Sequence, residues 1–125
     1  MKLIGHSLIA YEPFYHIQSQ EDIIKTPSNA ILIFEFDPVL AAYCQSQKLL
    51  FALHVKNIKE LILANALGVS YFIVDKSLAI NAQKVADDYL FDGKVMLYSS
   101  DESDIEFVAL SAIDGILFET GIITL

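Results

Sequence analysis

From residue 30 onward, short runs of β-branched and aromatic residues alternate with longer stretches whose apolar residues recur at helical spacing. The runs fall at 31–36, 50–55, 71–74, 95–98 and 115–118, with centres about 19 to 24 residues apart. They read as near-continuous apolar segments, the pattern of strands buried on both faces. Strands alternating with helices at this spacing form βαβ crossovers, because parallel neighbours need a long connection between them.

The intervening stretches carry helix punctuation. Asp37-Pro38 places a capping acceptor before a proline at the first helical position, where the missing N–H costs nothing. Asn57 and Glu60 form a capping-box pattern for a helix that should end at Gly68. Ser77 is the expected cap of the next helix, with Leu78, Ala82, Val85, Ala86 and Tyr89 on one stripe. Ser103 with Glu106 repeats the capping-box pattern before Ile105, Val108, Ala109 and Ala112. The fold class is therefore α/β. The expected architecture is a single domain over 1–125, with a mainly parallel sheet of five or six strands and helices on both faces.

The first 30 residues are less regular. Either 8–11 or 14–17 supplies the first strand, and Pro13 argues against one continuous central strand. Ser19-Gln20-Glu21-Asp22 opens a short helix ending near Thr26-Pro27. Residues 1–17 are read as an edge strand or a dimerisation arm.

The segment from Asn57-Ile58-Lys59-Glu60-Leu61 through Ala66-Leu67-Gly68 to Tyr71-Phe72-Ile73-Val74 resembles the βα units of phosphate-binding barrels. In those units an acid-bearing helix leads through Ala-x-x-x-Gly into an apolar strand. The likeness covers about 18 residues. Five or six strands do not complete an eight-stranded barrel, and the family's glycine-rich phosphate loops are missing here. What the resemblance implies is a half-barrel-like βα repeat, the alternative to an open sheet.

Composition narrows the function classes. Sixteen acids against eight bases give a net charge of −8, and all eight bases are lysines. Scattered lysines without arginine do not make a nucleic-acid surface, which needs clustered cations and usually bidentate arginine. The single cysteine, Cys44, excludes an intramolecular disulfide and is expected to be a buried, inert thiol. No apolar run reaches 18 residues, so no membrane span is expected. The apolar N-terminus is broken by His6 and lacks a small-residue cleavage pattern, which argues for a cytoplasmic protein. The sequence lacks GxGxxG, P-loop, GxSxG, HExxH and EF-hand patterns. No cofactor or metal is expected.

What remains is a positional argument. In parallel α/β sheets, ligands bind beyond the carboxyl ends of the strands. Those ends carry Glu35, His54, Lys56, Asp75, Lys76 and Glu119, which are the candidate ligand-binding residues. Glu35 and His54 stand out because each interrupts an apolar strand near its end. Asp37, Asn57 and Asp75 or Ser77 have a competing explanation as helix caps. Ser99, Ser100 and Asp101 read as caps or turn formers.

The expected function is a small non-catalytic binding or interaction module that self-associates, with a small molecule as a further partner. Its alternative is a small enzyme with an acid–base or metal site at the strand ends. Self-association is suggested by the broad apolar surface of the helix at 58–67 and by a tail, Gly121 to Leu125, that is apolar to its last residue.

Overall fold

The expected strands form, with 14–17 and not 8–11 as the strand of the N-terminal region, and two more join them at 2–4 and 122–124. A computed structural model describes residues 1–125. The strands are β1 (Lys2–Ile4), β2 (Phe14–His16), β3 (Ile31–Glu35), β4 (Phe51–His54), β5 (Tyr71–Val74), β6 (Lys94–Ser99), β7 (Gly115–Phe118) and β8 (Ile122–Thr124). The helices are α1 (Pro38–Ser46), α2 (Ile58–Ala66), α3 (Lys76–Asp88) and α4 (Asp104–Leu110). Short 3-10 turns occupy Gln20–Lys25 and Glu119–Gly121. Every strand pair is parallel, and the order is β1-β7-β6-β5-β4-β3-β2-β8.

This is the half-barrel-like alternative carried further, and the expectation of five or six strands is corrected to eight. Two short chain segments are each split between two strands. Residues 2–16 give β1 against β7 and then β2 against β3, while 115–124 give β7 against β6 and then β8 against β2. Both ends of the curled sheet are therefore bound by the same two segments, in register from Lys2↔Gly115 to His16↔Thr124. The sheet closes on itself. The 1–17 region lies within this sheet of its own chain, paired in parallel through β1 and β2.

Closure also corrects the expectation of helices on both faces. Strand side chains alternate with period two, so each strand feeds two surfaces. Leu32, Phe34, Phe51, Leu53, Phe72, Val74, Val95 and Leu97 pack outward, together with Leu40, Ala41, Leu61, Ala64, Ala79, Ala82 and Val108 of the helices. Ile4, Phe14, Ile33, Ala52, Ile73, Met96 and Leu117 form a separate inner cluster that contains no helix residue. The Phe14 and Tyr71 rings meet across the interior with centroids 5.1 Å apart. A closed sheet of so few strands has room inside for side chains and none for a helix.

Each helix ends in the same way. The residue two past the last helical one has positive φ: Lys48 (58°), Gly68 (79°), Leu90 (55°) and Ala112 (55°). The next amide then reaches back to the helix, as Leu49 to Cys44, Val69 to Ala64, Phe91 to Ala86 and Ile113 to Val108. These are Schellman closures, each with an apolar residue packing back on the helix. Only Gly68 announced itself in the sequence, because glycine alone adopts this conformation without penalty.

At the helix starts, Asp37 and Asn57 cap as expected, accepting from the Leu40 and Glu60 amides at 3.1 and 2.9 Å. Glu60 returns its carboxylate to the Lys56 amide, not to Asn57. Ser103 makes no side-chain capping bond, and its own amide donates to Asp101 instead. Helix α3 starts one residue before Ser77, with Asp75 in the capping position. Cys44 is fully buried, and desolvation pushes its thiol up to about 11, as fits an inert core cysteine.

The seam depends on glycine. A Cβ on Gly5, whose φ is +99°, would lie 2.6 Å from the backbone nitrogen of Gly121. Gly5→Ala should destabilise the protein by at least about 2 kcal/mol, from backbone strain and overpacking together. Conversely, Leu90 is 85% exposed and sits at positive φ, so Leu90→Gly should raise stability by about 0.5–1 kcal/mol. Denaturant unfolding of the two variants checks both signs.

Candidate functional site

The inner row of each strand changes character at the carboxyl end. Stepping by two along the inner face leads from Phe14 to His16, Ile33 to Glu35, Ala52 to His54, Ile73 to Asp75, Met96 to Tyr98 and Leu117 to Glu119. Below this step the side chains are apolar and form the inner core. Above it they are imidazole, carboxylate and phenol. The carboxyl-end mouth is thus rimmed by ionisable groups over an apolar floor.

His54 is the centre of the rim. Its Nε2 lies 3.2 Å from Asp75 Oδ1, and its Nδ1 lies 3.0 Å from Glu35 Oε2. Glu35 and His54 are register partners on β3 and β4, which explains their approach. Carboxylate oxygens only accept, so both contacts are attractive together when both ring nitrogens carry hydrogen. The imidazole side chain is 24% exposed, whereas Glu35 and Asp75 are 62% and 65% exposed. Water therefore screens the two ion pairs strongly.

Asp75 is released from the capping role that the sequence offered for it. It occupies the position before α3 yet makes no side-chain capping bond, and its carboxylate faces His54. A capping bond is worth about 1 kcal/mol, so the helix forgoes that much of its own stabilisation at this end.

A cavity of about 250 Å³ opens between these groups, lined by His16, Glu35, His54 and Tyr98 above Ile33, Ile73 and Ile122, with Phe34 at its side. A second, shallower recess of about 550 Å³ adjoins it, sharing His16, Phe34 and Glu35 and continuing to Gln18 and Asp37. Burial, with the charges of Glu119 and Asp75, pushes the Tyr98 phenol above its ordinary range. The phenol therefore keeps its proton at neutral pH, and both carboxylates bear on the mouth.

Of the six residues expected from sequence, Glu35 and Asp75 both meet His54 directly, while Glu119 is exposed at the same strand end and does not line the cavity. The two lysines do not join. Lys76 Nζ is 3.0 Å from Asp104 and 4.7 Å from the Phe107 ring centroid, which ties α3 to α4 on the outer side. Lys56 is exposed, and neither lysine lines the cavity. Tyr98 was missed, and His16 stands in the sequence only within the aromatic stretch 11–16, as pocket or interface lining against the favoured edge-strand packing, not among the six candidates. Both are legible once the period-two rows are extended to the strand ends, since each stands two residues past a core position.

No family model matches the chain and no curated protein matches it, so the chemistry of the mouth carries the functional reading.

A second polar group lies outside the mouth. Buried Ser99 donates to Asp104 Oδ2 at 2.7 Å and accepts from the Asp101 amide at 2.9 Å, so it and Asp101 are turn formers. The Ser99 hydroxyl first, and then Lys76, hold the Asp104 carboxyl below its usual value. A carboxyl lowered on folding contributes stability that is present above its unfolded pKa and lost as the pH falls through its folded one. Asp104→Asn should therefore lower the melting temperature at pH 7. It should also flatten the loss of stability below about pH 4. Thermal melts of both proteins between pH 2.5 and 7 test this.

Proposed function

We propose that this chain is a non-catalytic binding module whose ligand site is the carboxyl-end mouth of the curled sheet. The observation that carries this reading is His54, held between Glu35 and Asp75 over an open, apolar-floored cavity. A cap in its ordinary place would have left Asp75 with the helix. Its diversion into the mouth supports a role for that carboxylate at the site. The short connections at this end, two residues between β3 and α1 and one between β5 and α3, leave little chain for a lid and favour a small ligand.

An acid–base enzyme is the second reading, favoured by the same histidine. One carboxylate would orient the ring while the other nitrogen moved a proton. In the resting arrangement both ring nitrogens already face carboxylates, so catalysis requires exposed Asp75 to swing away first. That cost favours binding over catalysis.

The module reading includes self-association in a cytoplasmic setting. Ile62 and Leu63 on α2, with Ile123 and Leu125 in the tail, are each 40–50% exposed and provide apolar contact area. No helix is long and apolar enough to cross a membrane. A net charge of −8 works against nucleic-acid partners.

His54→Ala and Glu35→Gln separate function from structure. Because the carboxylates are largely exposed, Glu35→Gln should cost no more than about 1 kcal/mol in stability, and His54→Ala should cost more because it also removes a mostly covered ring. Each should also abolish binding of whichever molecule in a panel of small amines, acids and polyols binds the native protein. A large stability loss, with no panel member bound by the native chain, would make the cluster structural. Sedimentation at micromolar concentration should show a species heavier than 13.9 kDa.

A further inference from the structure

We infer that the mouth takes a small organic ammonium ion, with its charged head beside Glu35 and Asp75, the two carboxylates that flank His54, and its alkyl body on Ile33, Ile73 and Ile122. The inference rests on the mouth being a ligand site, and it names the chemical class that fits there. Two carboxylates, Glu35 and Asp75, flank the one imidazole of His54, so even a charged ring would balance only one of them. No lysine lines the cavity to balance them, and the one nearest in sequence to Asp75, Lys76, is held by Asp104 and the Phe107 ring on the outer side. The site is therefore short of a cation.

An anion would meet these carboxylates without an opposing side chain. A metal ion fits poorly for a different reason. Metal binding uses a free imidazole lone pair, and both nitrogens of His54 already lie within 3.2 Å of carboxylate oxygens. Three isoleucines beneath the charged rim match a ligand with a hydrocarbon body rather than a bare ion. The Tyr98 ring, 38% exposed at the same rim, adds an aromatic face that an alkylammonium can lie against. The ammonium group supplies up to three donors to acceptors that otherwise face water. The carboxylates act together with Tyr98, whose phenol they already influence.

The test is a titration of the isotope-labelled chain at low ionic strength with n-butylammonium, butan-1-ol, butyrate and Mg²⁺, followed by amide shifts. Butylammonium should move the signals of Glu35, His54, Asp75 and Tyr98. Its affinity should fall at least tenfold in Asp75→Asn and in Glu35→Gln, both checked for a native spectrum, and should weaken as salt is added. Equal or stronger effects at the mouth from butanol, butyrate or Mg²⁺ would overturn the ammonium assignment while leaving the mouth as a ligand site. Silence at the mouth with all four probes would overturn both.

Discussion

The rest of the structure depends on the double pairing of the two chain segments at the seam, β1 on β7 and β2 on β8. A parallel sheet left open would expose two edges and need a helix layer on each face. Pairing 2–16 with 115–124 twice removes that requirement. It also fixes which residues face inward, because a one-residue slip in either segment would turn every side chain over. The approach of Gly5 to Gly121, and the bond from Thr120 Oγ1 to the Gly5 carbonyl at 2.6 Å, mark where the segments change partners. The narrow interior accounts for Ala52 and Gly115 on inner rows that Phe14, Tyr71 and Met96 otherwise fill.

Economy at the amino-end loops follows from the same geometry. Each helix must turn back into a neighbouring strand within a few residues, and the Schellman closure does this with one positive-φ residue and one apolar anchor. Gln83 extends the arrangement. Its side chain accepts from the Asp114 amide and donates to Asp87, while the Asp114 carboxylate accepts from the Val95 amide. These bonds satisfy buried polar groups where α3, β6 and β7 converge, and no buried side-chain polar atom is left without a partner.

The acidic character of the mouth is a local version of the whole chain's charge, arranged by strand register. Helix N-termini approach this end, and their partial positive charge favours carboxylates nearby. That offsets part of the repulsion among the carboxylates at this end. The lysines are spent elsewhere: Lys76 on α4, Lys84 on Asp88 and Lys25 on Asp22. Exposed pairs of this kind add little stability. No lysine lines the mouth.

The sequence by itself determined the α/β class, five of the eight strands with a sixth, 14–17, as one of two alternatives, the spans of four helices to within a residue or two, and four of the residues at the strand ends. Those features are encoded locally, in apolar periodicity, in caps such as Asp37 and Asn57, and in polar residues that interrupt apolar strands. The three-residue strands β1 and β8 carry too little pattern to stand out, β2 could not be told from 8–11, and all three exist because partners far along the chain bond to them. The positive-φ helix ends at Lys48, Leu90 and Ala112 were equally hidden, since those side chains do not advertise the conformation. Closure, the single layer of helices, the diversion of Asp75 to His54 and the withdrawal of Lys76 were decided by tertiary structure alone. Each depends on contacts between residues about 20 to more than 100 positions apart, and only the register of the folded sheet brings those together.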